Sequence, residues 1–319
     1  MSNRSEIHTP IMVEQVIGAL SPHRAGTYVD GTVGCGGHSL AILEAAGPSG
    51  RLIGLDRDPE SLEVAAERLS AFRDRVTLVH EDFANLPEVL TGEGIHKVDG
   101  ILLDLGFSSY QLSRPERGFA FSLDGPVDMR LDRTAGKTAM QVIKESGEQE
   151  LKGILTDLGE ERWAKRIARA IVRARHNEEI RTTRDLADVI TSAIPASRRP
   201  KHHHPATKSF MALRMTVNQE MDSLRRFMDS AADLLVEGGR LCVISFQSME
   251  DRIVKNRLRD LEKPCTCPVD LPVCGCGRTR KMRVLNRRPV CPDRTETTAN
   301  PRARSARLRA AERTAGREE

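Results

Sequence analysis

The sequence predicts an α/β fold, a doubly wound parallel sheet with an inserted helical domain. Three observations support this prediction. Between residues 27 and 103, short apolar segments alternate with segments of helical spacing. From residue 113 to 204 the chain is charged and mostly helical in pattern, with no convincing strand. The apolar segment RLCVISF then resumes the sheet pattern at residues 240–246.

The individual elements follow in order along the chain. The segment VDGILL is nearly all apolar, as expected of a parallel strand that is covered on both faces. The predicted strands are 27–30, 51–55, 75–79, 98–103 and 240–246. The predicted helices are 38–46, 59–69 and a long one near 205–236.

The order of these elements also predicts the domains. A structureless loop as long as 113–204 would be unusual inside a compact domain. We therefore expect one discontinuous domain, 1–112 with 205–319, which is interrupted by a helical domain over 113–204 that recognises the substrate.

Composition sets limits on the class of protein. The chain has 319 residues and a net charge of +4, and from Arg278 to Glu319 it carries 13 Arg and Lys against 5 Asp and Glu. Such a basic tail either attracts a polyanion or is simply solvated. The start MSNRSEIHTP lacks an apolar signal core, and no apolar run is long enough to span a membrane. With seven Cys and no export signal, we expect a reduced, cytoplasmic protein.

A glycine-rich turn follows the first predicted strand in YVDGTVGCGGH. Gly34, Gly36 and Gly37 let the backbone approach a ligand closely. Asp56 ends the second strand, where a carboxylate can accept hydrogen bonds from ribose hydroxyls. The pattern favours a nucleoside-containing cofactor over the alternative, a tight turn with a helix-capping Asp.

Two features separate the candidate cofactors. A dinucleotide fingerprint would need glycine at Ser39, and the acid Asp30 before the turn suits a cationic cofactor better than a pyrophosphate. Neither Tyr28 nor Tyr110 is followed by Lys four residues later, so a nicotinamide oxidoreductase, the third alternative, loses its best catalytic pair. S-adenosylmethionine is therefore favoured.

The ends of the third and fourth strands complete the expected site. In EDF, Phe83 and its acidic neighbours fit an adenine site. Asp104 ends the fourth strand in LLDLGFSS, where cofactor and substrate should meet.

Long motifs of the chain resemble the RsmH (MraW) family along nearly its whole length. They include DGTVGCGGHS, DGILLDLGFSSYQL, DGPVDMRLD, GEERWAKRIARAIV, HPATKSFMALRMTVNQE and NPRARSARLR. The resemblance implies a class I (Rossmann-like) methyltransferase that uses S-adenosyl-L-methionine to methylate the exocyclic N4 of a cytidine in 16S rRNA, in the decoding region of the small ribosomal subunit. The implied cofactor-binding positions are Gly36, Gly37, His38, Asp56, Phe83, Asp104 and Gln111.

The sequence departs from this family at SFQSMED. Gln247 stands where the family usually has His, so no acid–base role is assigned to it. The DNA amino-methyltransferases carry an Asp/Asn-Pro-Pro-aromatic motif after strand four, and the corresponding stretch here is DLGF. The analogy with their mechanism is therefore partial.

The chemistry singles out a few substrate-facing residues. The cytosine N4 lone pair is delocalised into the ring, so the main task is alignment, helped by an acceptor for N4–H. We hypothesise that Asp104 is this acceptor and that Phe107 stacks on the base. The alternative is that Asp104 only anchors a loop or the cofactor.

A basic helix and several junction residues are the candidates for RNA contact. In GEERWAKRIARAIVRARH the basic residues, among them Arg166 and Arg169, follow one face and the apolar residues the other. A solvated helix face is the alternative. Arg130, Arg214 and Asn218 are expected either to contact substrate or to form a structural hydrogen-bond network.

Four cysteines in CTCPVDLPVCGC raise the question of zinc. Cys265, Cys267, Cys274 and Cys276 form two C-x-C pairs, whereas the usual zinc hairpin is C-x-x-C. We therefore favour a loop with reduced thiols and predict no metal. The run His202–His204 is interpreted as a polar loop in which His204 is structural.

The leading function is thus rRNA methyl transfer, with 16S rRNA or the small subunit as partner, no membrane, and a homodimer as one expectation for the oligomeric state. The alternative from another class is a noncatalytic RNA-binding ribosome-assembly factor with a vestigial cofactor pocket. The complete set of Gly36, Asp56 and Asp104 argues against a vestigial pocket.

Overall fold

The computed structural model describes residues 10–177, 179–200, 203–263, 265, 267 and 276–315, except for the side chain of Ser109. The chain divides into two compact units, Met1–Gly106 with Asp222–Glu319, and Phe107–Met221. The helical insertion expected at 113–204 lies within the second unit.

A seven-stranded sheet of order β3-β2-β1-β4-β5-β7-β6 forms the centre of the first unit. The five strands from β3 to β5 are parallel, and β7 is antiparallel to both β5 and β6. The strand order reverses direction between β1 and β4, as in doubly wound folds, so the predicted fold class is confirmed. The strands are β1 Thr27–Asp30, β2 Arg51–Asp56, β3 Val76–His80, β4 Val98–Asp104, β5 Leu235–Ser245, β6 Met282–Val284 and β7 Arg307–Arg313.

The helices bury apolar side chains against the sheet or against one another. In β4, Ile101 and Leu103 belong to one core cluster and Leu102 to another, so both faces of the sheet are covered. The helices are α1 Val13–Leu20, α2 Gly37–Ala45, α3 Pro59–Arg68, α4 Leu86–Gly92, α5 Ser109–Leu112, α6 Ala139–Glu145, α7 Glu148–Asp157, α8 Ala164–His176, α9 Thr183–Ala193, α10 Thr207–Val217, α11 Glu220–Ser230, α12 Ser248–Glu262 and α13 Arg294–Ala299.

Local signals explain where several helices begin. Asp58 caps α3 by accepting a hydrogen bond from the Glu60 N–H, and Pro59 takes the first helical position. Thr182 and Asp185 form a reciprocal capping box at the start of α9. In the described part of the chain, no helix is both long and apolar enough to cross a membrane.

The second unit is helical and has its own core. Its described residues contain one isolated β-bridge, Pro126 with Thr182, and no strand. Ile143, Leu155, Ile167 and Ile190, from four different helices, are fully buried in this core.

The expectation of one long helix over 205–236 was wrong. The chain forms α10 and α11, with a break at Asn218–Gln219, where Gln219 has a φ of +50°. The buried Asn218 amide donates to the carbonyls of Met129 and Arg214. This tertiary contact stabilises a turn that the helical spacing of the sequence does not indicate.

The basic C-terminal segment is also not a solvated tail over its whole length. Residues 307–313 form β7 inside the sheet, with Leu308, Ala310 and Ala311 buried. The Arg309 guanidinium is buried as well, and it forms a bidentate pair with Asp251 at 2.6 and 3.1 Å.

Candidate active site

Three carboxylates lie at the carboxyl ends of neighbouring strands of the first unit. Asp30 ends β1, Asp56 ends β2 and Asp104 ends β4, and β1 lies between the other two strands. Neighbouring strands are about 4.8 Å apart, so the ends of β2 and β4 are about 10 Å apart. The edge of the sheet that binds ligands in this fold class is therefore acidic.

The glycine turn between β1 and α2 is fixed by one of these carboxylates. The Gly34 N–H donates to Asp56 Oδ2 at 2.8 Å, and the Asp58 N–H donates to Asp56 Oδ1 at 2.9 Å. Gly36 has a φ of +77°, and a Cβ there would lie 3.4 Å from Ala65 Cα. Glycine is needed at this position for its backbone conformation and for the close approach of α3.

The carboxyl group of Asp56 is poorly solvated. Desolvation raises the pKa of its carboxyl group to about 6, although the hydrogen bonds from the Asp58 and Gly34 N–H groups lower it. Each carboxylate oxygen has two lone pairs, so Asp56 retains capacity to accept further hydrogen bonds from a ligand.

Asp30 lies beneath the turn as a buried anchor. It is only 1% exposed, and it accepts hydrogen bonds from Ser39 Oγ at 2.7 Å and from the Thr32 N–H at 3.2 Å. Desolvation raises its pKa, while the nearby His38 lowers it. Ser39, whose presence argued against a dinucleotide, therefore has a direct structural role.

Asp104 and His38 form the most unusual pair of this edge. The carbonyl of Ile11 lies 2.8 Å from His38 Nε2, and because a carbonyl only accepts, Nε2 carries a proton. Nδ1 then faces Asp104 Oδ2 at 3.6 Å. This separation is longer than a hydrogen bond, so the contact between the two side chains is electrostatic.

The other oxygen of Asp104 is a buried acceptor. Oδ1 has no hydrogen-bond partner among the described residues, while the Asp104 N–H donates to Thr32 Oγ1 at 2.6 Å. Desolvation raises the pKa of Asp104 to about 6, with His38 opposing and Asp30 adding to the shift. A buried oxygen without a partner is costly, so Oδ1 is a candidate acceptor for a hydrogen bond from a ligand. Thr32, which the sequence analysis did not single out, fixes the backbone of Asp104.

The segment after β3 brings Phe83 to the same edge. The Glu81 N–H donates to the Asp56 carbonyl at 3.1 Å, which joins the ends of β2 and β3. Phe83 packs edge-on against Phe227, and a Cβ on Gly31 in the glycine turn would lie 3.1 Å from Phe83 Cβ. Ser223 Oγ donates to Asp82 at 2.6 Å, a contact from α11 that local sequence does not indicate.

In the second unit, Phe107 belongs to an aromatic and cationic cluster. Its ring stacks on Phe119, with centroids 5.9 Å apart, and the Arg214 guanidinium lies 4.5 Å from its centroid. Arg214 is buried and bidentate to Glu220, at 2.8 and 2.7 Å. Glu220, which orients this arginine, was missed in the sequence.

The motif DGPVDMRLD forms a tightly held loop of the second unit. Asn218 accepts from the Leu131 N–H and donates to the Met129 carbonyl, each at 2.8 Å. Met129 has a φ of +63°, a conformation rare outside glycine. Arg130 is bidentate to Asp128, which raises the pKa of the Arg130 guanidinium. These bonds favour the structural network that the sequence analysis left open for Arg130, Arg214 and Asn218; substrate contact by them stays a prediction.

Other predicted residues of this unit have local partners. Gln111 is buried and accepts from the Ser108 N–H at 2.9 Å. His204 stacks on Phe121, with centroids 4.4 Å apart, as its structural interpretation requires. His202 lies outside the described residues. In the first unit, Gln247 precedes α12, and its N–H donates to Glu250 at 3.0 Å.

The basic face of α8 lines a groove of the second unit. Arg166 and Arg169 are exposed, while Ile167 and Ile171 on the opposite face are buried. The groove lies between α8 and α9 and has a volume of about 650 Å³. Among the described residues, four cationic side chains, those of Lys165, Arg166, Arg169 and Arg173, line it beside the acidic Glu179 and Asp188.

The chain was compared with known proteins. Residues 5–314 match the model of the MraW methylase family. A relative from Pelobacter propionicus (strain DSM 2379 / NBRC 103807 / OttBd1) is 50% identical over 307 residues, which cover 96% of this chain and 98% of the relative. One from Geobacter sp. (strain M21) is 48% identical over 306 residues, with the same coverage. Both relatives are named ribosomal RNA small subunit methyltransferase H.

Proposed function

Because the chain belongs to the MraW methylase family, we propose that it methylates the exocyclic N4 of a cytidine in 16S rRNA, in the decoding region of the small ribosomal subunit. The names of its relatives support rRNA as the substrate class. The observation that carries the proposal is Asp104 Oδ1, a buried oxygen at the carboxyl end of β4 that has no hydrogen-bond partner among the described residues. We place this activity in the cytoplasm; a homodimer stays a prediction.

The cofactor is S-adenosyl-L-methionine, which supplies an electrophilic methyl group on a positively charged sulfur. The residues of the first unit fit it. Carboxylates at three adjacent strand ends suit a cation. We assign Asp56 to the ribose hydroxyls, the turn with Gly36, Gly37 and His38 to the close backbone contact, and Phe83 to the adenine ring. A role for Gln111 in cofactor binding stays a prediction.

Asp104 is the residue to which we assign the proton of the acceptor nitrogen. Its Oδ1 accepts a hydrogen bond from N4–H, which orients the amine and favours a tetrahedral nitrogen. As N4 gains the methyl group, it must lose a proton. A carboxylate with a pKa near 6 is a better proton acceptor than an ordinary Asp. The His38 ring lies 3.6 Å from the other oxygen of Asp104. It lowers the pKa of Asp104 and so favours the charged form of this carboxylate.

The second unit supplies the proposed RNA contacts. The exposed cations of the α8 groove, among them Arg166 and Arg169, are placed to pair with phosphates. Phe107 is assigned to stack on a base. Its ring already contacts the Phe119 ring and the Arg214 guanidinium, so a base would stack on the part of the ring that these two groups leave open.

The test is mass mapping of small-subunit RNA. Subunits from cells lacking this protein are incubated with purified enzyme and isotopically labelled S-adenosylmethionine, and the RNA is digested and mapped. The expected result is one N4-methylcytidine in the decoding region, absent with the Asp104→Ala variant. Label on another atom or another RNA would contradict the specificity. RNA binding without any methylation would favour the noncatalytic assembly factor.

A further inference from the structure

Three cysteine thiols lie close together in the first unit, far along the chain from the carboxylates that end β1, β2 and β4. The Sγ atoms of Cys265, Cys267 and Cys276 all lie within 4.8 Å of one another. They occupy the connection between α12 and β6. We propose that these three thiolates bind one Zn²⁺ ion, whose role is structural.

The spacing of the sulfur atoms fits the ion. Zinc–sulfur bonds are about 2.3 Å long, which puts the sulfurs of a tetrahedral site about 3.8 Å apart. The thiols need to move by no more than about 1 Å to reach this geometry. In extended chain, residues i and i+2 lie on the same side, so the C-x-C spacing allows Cys265 and Cys267 to share an ion. The closeness of the three thiols favours zinc over the metal-free loop that the sequence predicted, and measuring the metal content decides between the two.

The two ends of the connection are fixed to each other. The Lys281 N–H donates to the Leu261 carbonyl, and the Val284 N–H donates to Glu262 Oε1, both at 3.0 Å. Arg280 also reaches Glu262, at 3.3 Å. An ion held by Cys265 and Cys276 would link the two ends of this connection. Because the ion binds the folded chain and not the unfolded one, its binding free energy would stabilise the fold.

The position of the thiols separates them from methyl transfer. The helix α12 begins directly after β5 and contains 15 residues, a length of about 22 Å. The thiols follow its C-terminal end, whereas the carboxylates lie at the carboxyl ends of the strands, where α12 starts. Soft thiolate ligands select zinc or iron–sulfur clusters, and the experiment distinguishes the two. Cys274 lies outside the described residues, and no role is assigned to it.

The test measures metals in the full-length protein, purified under reducing conditions without chelators or metal-affinity resin. Mass spectrometry of the elements should find about one zinc per chain, and Cys267→Ser and Cys276→Ser should each lower it at least about tenfold. Cys291→Ser removes an exposed cysteine outside the cluster and should keep the zinc. Wild-type protein without zinc even after incubation with zinc sulfate, or iron with acid-labile sulfide, would overturn the proposal.

A second measurement keeps the test decisive if the serine variants fail to fold. In this measurement, cobalt replaces zinc in the wild-type protein. Cobalt bound by three cysteine thiolates should show a sulfur-to-cobalt charge-transfer absorption. Absence of this absorption from cobalt-loaded protein would overturn the proposal. Removal of zinc by a chelator should lower the melting temperature, while the affinity for S-adenosylmethionine should change less than about threefold. A larger loss of affinity would contradict the structural role.

Discussion

The two units place their functional charges in opposite surroundings. At the edge of the sheet in the first unit, the Asp30 carboxylate accepts internal hydrogen bonds, and Thr32 holds the backbone of Asp104. Burial raises the pKa values of both carboxyl groups. On α8 of the second unit, Arg166 and Arg169 are exposed to solvent. Charges in the first setting act through geometry, so one substitution should abolish function. Charges in the second setting act by summed attraction, so their loss should be graded and sensitive to salt.

The strongest test of this contrast is Asp104→Ala. Loss of a positioned proton acceptor should lower the rate of methyl transfer by about 10²- to 10⁴-fold, measured in single turnover with saturating cofactor. The matched control Asp74→Asn changes an exposed carboxylate of the same unit and should leave the rate unchanged. Normal rate and normal cofactor affinity in Asp104→Ala would remove both roles assigned to this residue.

Asp56→Ala should affect cofactor binding more than chemistry. The variant loses acceptors for the ribose and leaves the Gly34 and Asp58 N–H groups without their bonds, so calorimetry should show about tenfold to a hundredfold weaker binding of S-adenosylmethionine. Glu63→Gln on the exposed face of α3 serves as the control. Unaltered affinity would show that the carboxylate only shapes the turn.

The double variant Arg166→Ala and Arg169→Ala tests the exposed charges of the second unit. RNA affinity should fall by roughly tenfold at low salt, and the slope of log K against log salt should become shallower by about 0.7 for each lost phosphate contact. Cofactor affinity should not change. Arg73→Ala, which removes one charge at an exposed position of the first unit, is the control for each of the two single variants, Arg166→Ala and Arg169→Ala. An equal effect of Arg73→Ala and of the single variants would contradict a specific role of the α8 face.

The smallest expected effect is on stability, and it follows from the raised pKa of Asp104. Between its ordinary value and about 6 the folded state binds more protons than the unfolded state, so this group lowers the free energy of unfolding as pH rises through that window. Asp104→Asn lacks the proposed proton acceptor and should be inactive. Because it also lacks the buried charge, its free energy of unfolding at pH 7 should be higher by about 1 kcal/mol or more. Chemical denaturation from pH 4 to 7 should show a flatter profile. A variant less stable than wild type at pH 7 would contradict a strained carboxylate.

Local sequence was sufficient to predict the strands that end in carboxylates. An apolar run followed by Asp, in YVD, GLD and LLD, marks a buried parallel strand and the polar group at its end. By contrast, RLRAAER has the composition of a solvated segment. It forms a strand because Arg309 finds a buried partner in Asp251, 58 residues away, and no local pattern reveals such a pair.

The finer geometry of the site was beyond sequence for the same reason. The position of Asp104 was predicted, but its isolated Oδ1 results from packing, and the orientation of His38 depends on the Ile11 carbonyl. The break between α10 and α11 likewise depends on Asn218 reaching Met129, 89 residues away. Residue types at strand ends indicated the chemistry, whereas distant contacts determine which atoms are available for it.

The place of β7 between β5 and β6 has a consequence for biosynthesis. A nascent chain can pair β1 to β5 early, but among the described strands β6 pairs with β7 alone, so the sheet is incomplete until residue 313 has left the translating ribosome. A product that terminates before Arg307 would expose the edge of β5 and leave Asp251 without its counter-ion, a combination that favours aggregation and proteolysis.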